Sequence, residues 1–95
     1  MTRTEHLLTT LAEECAEVAQ RCSKALRFGL VEKQPGQDLT NAQRIEAEMA
    51  DLIAVYGMLV DLGHVQPLVY LSLAGKRRKV ESYLAYSATC GTLTD

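Results

Sequence analysis

Acidic residues at helical spacing are the feature of this sequence best suited to chemistry. One group lies in residues 13–17 and another in residues 48–51, and both stretches have helical periodicity. Residues three apart on a helix are neighbours, with Cβ atoms about 5–6 Å apart, so each group offers a pair of carboxylates. Two such helices packed side by side would bring together four acids, which are Glu14, Glu17, Glu48 and Asp51. This all-oxygen set suits Mg²⁺, or Mn²⁺, rather than zinc, and without a cation its like charges would resist packing.

A single glutamate on a helix is more often part of a solvated face than a ligand. Glu14, however, falls at the edge of an apolar stripe, beside Leu11 and Val18, and Glu48 has the same place on the second helix. Because the arrangement repeats on both helices, we favour a metal site over two solvated faces.

Composition restricts the classes of protein to consider. The chain has 95 residues, 47% of them apolar and 23% charged, which is ordinary for one globular domain, and we expect a single domain over 1–95. A net charge of -2 gives no general attraction to a nucleic acid polymer. No apolar run approaches the roughly 20 residues that span a bilayer, and the polar start is unlike a signal peptide, so we expect a cytoplasmic protein.

Cys15, Cys22 and Cys90 form no CxxC pair, and we interpret them as core thiols.

The pattern predicts an all-α fold, an antiparallel bundle of three main helices completed by oligomerisation. Apolar residues predict the first helix from about Thr4 to Phe28, ended by Gly29, with an inward stripe of Leu7, Leu8, Leu11, Cys15, Val18, Cys22 and Leu26. Residues 29–40 contain a Pro-Gly pair and are predicted to be a loop. Thr40 and Gln43 form a capping-box pattern, so the second helix should run from Thr40 to about Leu62. Its stripe is Ile45, Met49, Leu52, Ile53, Tyr56, Leu59 and Val60.

Three further residues are candidates for binding a substrate. The third helix is predicted over about 72–87, with Leu73, Val80, Tyr83 and Leu84 inward. Lys76 and Lys79 fall on this inward side, whereas most basic runs are simply solvated, and we interpret the two lysines as phosphate ligands. Asn41 lies one to two turns before Glu48 and could contact a nucleotide or order a water, although capping the helix is its more ordinary role.

The ordered motifs Glu13-Glu14-x-x-Glu17 and Glu48-x-x-Asp51 resemble the EExxE and ExxD signature of the all-α nucleoside triphosphate pyrophosphatases, the MazG-like superfamily. Residues 13–29, 41–59 and 76–87 look like successive helices of small MazG-like proteins and cover about half of the chain. EExxE alone is weakly specific, but the two motifs followed by a lysine cluster are much more so.

The resemblance implies Mg²⁺-dependent hydrolysis of a nucleoside triphosphate, often a deoxynucleotide or a non-standard one, to the monophosphate and pyrophosphate. It also implies a homo-dimer or homo-tetramer in which helices of two subunits build each site. By motif position, Glu14, Glu17, Glu48 and Asp51 would hold the metal, and Glu13 would orient or deprotonate the attacking water. Lys76 and Lys79 would contact phosphate oxygens.

Two alternatives remain open at this point. Phosphoribosyl-ATP pyrophosphatase shares the paired acid motifs, although the longer resemblance favours a MazG-like protein. A non-catalytic helical oligomerisation module of the same fold is the other. A di-iron carboxylate bundle is disfavoured, because neither His6 nor His64 supplies the Glu-x-x-His pair that this class requires.

Overall fold

A computed structural model describes the whole chain, Met1–Asp95, and it is all-α as predicted. It has no strand and three α-helices, which are α1 (Arg3–Phe28), α2 (Asn41–Asp61) and α3 (Leu73–Thr89), with a short 3₁₀ helix (Leu68–Tyr70) before α3. The residues group into two compact units, Met1–Val65 and Gln66–Asp95. The single domain expected over 1–95 stays a prediction.

Capping boxes begin both helices of the first unit. Thr40 Oγ1 accepts a hydrogen bond from the backbone N–H of Gln43 at 3.1 Å, and the Gln43 side chain accepts one from the Thr40 N–H at 2.9 Å. This is the predicted arrangement. Thr2 and Glu5 form the same reciprocal pair at 3.1 and 2.8 Å. Because Thr2 caps α1, the helix begins at Arg3, one residue earlier than expected.

The loop between the helices is as predicted and contains a tight turn. Gly29 ends α1 with φ 100°, a backbone conformation that favours glycine. Further along, the N–H of Gln37 donates to the carbonyl of Gln34 at 2.9 Å across Pro35 and Gly36. Gly36 has φ 80°, as a type II turn requires at its third residue.

Contacts at both ends show that α1 and α2 run antiparallel. Thr4, in the first turn of α1, has its Oγ1 2.9 Å from Nε2 of His64, just after α2. At the other end, Asn41 Nδ2 donates to the carbonyl of Gly29 at 2.8 Å. The first unit is therefore a helical hairpin, as predicted for these two helices.

The two helices meet along seams whose positions alternate by four and three residues, the spacing of coiled-coil contacts. Every seam residue is buried or half-buried, and they are Leu7, Leu11, Glu14, Val18, Arg21 and Ala25 on α1 and Asn41, Ile45, Glu48, Leu52, Val55 and Leu59 on α2. Of the predicted stripe of α2, three residues lie on this seam, which are Ile45, Leu52 and Leu59. Met49, Tyr56 and Val60 are half-buried but lie outside the seam, and Ile53 is 45% exposed.

The predicted stripe of α1 is partly wrong. Leu8, Cys15, Cys22 and Leu26 are exposed, with Leu26 at 89%. The helix carries apolar residues on two adjacent faces, and α2 covers only the face that contains Leu7. The interpretation of the cysteines as core thiols is also wrong, because all three thiols are free and exposed.

The second unit contains α3, which follows Ser72 and ends two residues later than predicted. The residues expected to face inward, Leu73, Val80, Tyr83 and Leu84, are all exposed. No buried residue lies in α3. None of the helices has both the length and the apolar composition needed to cross a membrane.

Candidate metal centre

Three of the four predicted acidic ligands lie together in the hairpin. One carboxylate oxygen each from Glu14, Glu17 and Glu48 lies within 4.8 Å of the other two. The first two residues come from successive positions of one face of α1, and the third comes from α2. The antiparallel packing of the helices thus brings together three of the four acids that were expected to meet.

Glu14 and Glu48 occupy positions in the seam where an apolar side chain would ordinarily stabilise the hairpin. Both are half-buried, and only 13% of the Glu48 side chain is exposed. Carboxylates are seldom buried unless they are paired with a cation or ligate one. Their placement in the seam therefore calls for a positive charge beside them.

Two carboxylate oxygens of the cluster also lack a hydrogen-bond partner. Oε2 of Glu14 and Oε2 of Glu48 are both buried and have no hydrogen-bond partner. A buried acceptor without a partner is costly, and more so when it is charged. Because the donor set is entirely carboxylate oxygen, the three residues fit a hard divalent cation such as Mg²⁺ or Mn²⁺.

The electrostatics of the cluster oppose ionisation. Burial, followed by the charges of Asp51, Glu17 and Glu13, raises the pKa of Glu14 above its usual range. Burial and the close approach of Glu17 raise the pKa of Glu48 in the same direction. A divalent cation would reverse both effects, because it favours the ionised carboxylates that bind it.

Arg21 is a member of this site that the sequence prediction missed. It follows Glu17 by four residues and Glu14 by seven, so it lies on the same face of α1. Its Nε lies 3.8 Å from Oε1 of Glu48, and this is the only ion pair in the chain. A Glu-x-x-x-Arg spacing on one helix was the sequence signal that could have identified it.

Asp51 and Glu13 lie at the margin of the cluster. Both are exposed, and neither belongs to the group of three whose oxygens approach within 4.8 Å. The negative charges of Asp51 and Glu13 nevertheless contribute to raising the pKa of Glu14. The assignments of Asp51 as a fourth ligand and of Glu13 as a partner of the attacking water stay predictions.

Asn41 has a structural role in the hairpin. It is only 2% exposed, and its amide nitrogen donates to the carbonyl of Gly29 and, at 2.9 Å, to Oε1 of Glu32. Its backbone N–H donates to the carbonyl of Glu32 as well. Both amide hydrogens are therefore used to fix the loop, and Thr40, not Asn41, caps the helix. Substrate binding by Asn41 stays a prediction.

The two lysines predicted to contact phosphate belong to the second unit. Lys76 and Lys79 are exposed on α3, and neither forms an ion pair. Lys76 lines a shallow surface depression together with Arg77, Val80 and Glu81. Their assignment as phosphate ligands stays a prediction.

No protein-family model, curated protein or solved structure matches this chain.

Proposed function

We propose that this protein is a nucleoside triphosphate pyrophosphohydrolase that requires Mg²⁺, with Mn²⁺ as a substitute. In this proposal Glu14, Glu17 and Glu48 hold the cation and Asp51 completes the set. The observation that carries the proposal is the meeting of three carboxylates from two helices, with a buried, unpartnered oxygen on both Glu14 and Glu48. Such a cluster is costly to fold without a cation and well suited to binding one.

The chemistry of phosphate hydrolysis needs the positive charge that this site can hold. When bound, the cation supplies neutralisation of phosphate oxygens and a lower pKa for its water. The exposed Glu13 carboxylate, beside the cluster, orients the attacking water or accepts its proton. Lys76 and Lys79 contact the phosphate oxygens as point charges and stabilise the leaving pyrophosphate.

Cleavage between the α- and β-phosphates is supported by the resemblance to MazG-like proteins. That resemblance rests on the order Glu13-Glu14-x-x-Glu17, Glu48-x-x-Asp51 and then a lysine cluster. The hairpin supports the resemblance further, because the EExxE and ExxD motifs lie on two packed helices, and Glu14, Glu17 and Glu48 of these motifs meet.

We further propose that the protein is a cytoplasmic homo-oligomer, a dimer or a tetramer. Only three apolar residues of the chain are buried, which are Leu7, Ala25 and Leu59. Large apolar side chains are exposed along the uncovered face of α1 and along α3. Because most of the stability of a helix in a protein comes from packing its apolar face, a second copy that covers these faces would add stabilisation.

Product analysis in ¹⁸O-labelled water tests the proposed activity. Purified protein with Mg²⁺ would be incubated with ribo-, deoxyribo- and modified nucleoside triphosphates, and separately with phosphoribosyl-ATP. We expect a monophosphate and pyrophosphate, with the label in the monophosphate because water attacks the α-phosphorus. Label in pyrophosphate would place the attack on the β-phosphorus, and inorganic phosphate as the product would contradict a pyrophosphohydrolase.

A further inference from the structure

Arg21 stands in the seam of the hairpin as the only positive charge paired with a carboxylate. Its Nε and Oε1 of Glu48 are 3.8 Å apart, which is within reach of charge attraction but beyond hydrogen-bond distance. Its side chain is 17% exposed, and the Nε atom is buried without a hydrogen-bond partner. The guanidinium is therefore held beside Glu48 by charge and packing, with none of the bidentate geometry that makes Arg–carboxylate pairs strong.

The position of Arg21 on α1 puts this charge next to the whole cluster. Glu17 is one helical turn before Arg21, and Glu14 is two turns before it on the same seam. A divalent cation that contacts Glu48 would lie within a few ångströms of the guanidinium. Since the two positive charges repel, Arg21 and a bound cation compete for the same carboxylate.

We propose that Arg21 is the built-in counter-ion of the carboxylate cluster. In the metal-free protein it partly neutralises Glu48 and so permits the three acids to pack in the seam. When a divalent cation binds, Glu48 turns from the guanidinium to the cation, so Arg21 lowers the affinity of the site and eases release of the cation. This inference rests on the proposed cation site but assigns a regulating residue that the motifs do not contain.

Calorimetric titration with Mn²⁺ tests this role without any substrate. The proteins to compare are the wild type, Arg21→Gln, Arg21→Lys and Arg3→Gln, at 0.15 M salt. We expect Arg21→Gln to bind Mn²⁺ about five- to tenfold more tightly, since one nearby positive charge is removed. Arg21→Lys, which keeps the charge, should bind with nearly the wild-type affinity.

Arg3→Gln is the matched control for net charge. Arg3 is on the same helix but lies about 17 Å along it from Glu14 and about 21 Å from Glu17, at least twice the Debye length of about 8 Å at this salt concentration. We expect its Mn²⁺ affinity to equal that of the wild type. A gain as large as that of Arg21→Gln would mean that only net charge matters, and the role of Arg21 would be overturned.

The remaining outcomes separate this inference from the proposed function. If the wild type binds Mn²⁺ and Arg21→Gln binds it equally or more weakly, Arg21 is not the counter-ion, although the cation site stands. If none of the four proteins binds Mn²⁺, the cation site itself fails. An Arg21→Gln protein that is unfolded in EDTA but folds on addition of Mn²⁺ would support the inference, whereas one that stays unfolded at saturating Mn²⁺ would contradict it.

Discussion

Carboxylate oxygens of Glu14 of α1 and Glu48 of α2 lie within 4.8 Å of each other, and each residue has a buried carboxylate oxygen without a hydrogen-bond partner. Both occupy seam positions that coiled-coil spacing reserves for apolar side chains. Apolar side chains at these two positions would pack better, and the presence of acids there is the observation on which the proposed cation site rests.

Binding of Mg²⁺ should raise the melting temperature of the protein. For a dissociation constant of about 1 mM, 10 mM Mg²⁺ stabilises the folded state by about 1.4 kcal/mol through mass action. For a chain of this size that corresponds to a rise of about 5–10 °C in a thermal melt followed by circular dichroism. Glu46→Gln, an exposed acid on the same helix, should keep the rise, and Glu48→Gln should lose it. An unchanged midpoint in the wild type would count against a cation site.

The metal-free protein should become less stable as the pH rises from about 4.5 towards neutrality. The pKa values of Glu14 and Glu48 are raised in the folded state, so the folded protein binds more protons than the unfolded chain in this window. Stability therefore falls as pH increases through the raised values. Thermal melts in EDTA across pH 4.5–8 measure this dependence, and Glu48→Gln should flatten it. A profile that rises towards neutral pH in EDTA is incompatible with this electrostatic account.

Asn41→Ala should destabilise the hairpin by about 2 kcal/mol, because it leaves the acceptors on Gly29 and Glu32 without their donor. Chemical denaturation measures the loss. Gln43→Ala, which removes half of an exposed capping box, is the control and should cost only about 1 kcal/mol. If Asn41→Ala instead keeps its stability and the Michaelis constant for a triphosphate rises, the predicted substrate contact is the better interpretation.

Leu26→Glu should dissociate the proposed oligomer. Leu26 is 89% exposed in the single chain, and a surface substitution on a monomer would be nearly neutral. In an oligomer that covers this face of α1, Leu26→Glu would bury a charge that has no partner. Sedimentation velocity should show a smaller species for Leu26→Glu and no change for Gln20→Glu, which adds the same charge at an exposed polar position. A wild-type protein that sediments as a monomer would refute the oligomer.

The sequence predicts the helices well because their ends carry local chemistry. The Thr40 and Gln43 pair and Gly29 mark helix ends through contacts within a few residues. Such local contacts do not determine which face of α1 is buried. Leu8 and Leu26 are as apolar as Leu7, and only the packing of α2 decides which of these leucines is covered.

The candidate site likewise combines contacts within one helix and contacts between two helices. The spacing pairs Glu14 with Glu17, because neighbours on one helix follow from local geometry. That Glu48 joins them and Asp51 does not depends on how α2 packs against α1. The contact between Arg21 and Glu48 joins residues of two different helices, so its existence depends on the register of the hairpin. The loop-fixing role of Asn41 depends on that register too, and its position before an acid motif suggests a substrate contact instead.

The most direct test of the account is Mg²⁺-dependent pyrophosphate release by the wild type, Glu48→Gln, Asp51→Asn and the control Glu46→Gln. We predict release from at least one nucleoside triphosphate by the wild type and by Glu46→Gln. Glu48→Gln and Asp51→Asn should lose at least 100-fold in turnover, on the order of the loss for an impaired metal site, while keeping their helical circular dichroism. Absence of release from every triphosphate with Mg²⁺ or Mn²⁺, or full activity of Glu48→Gln, would contradict the account.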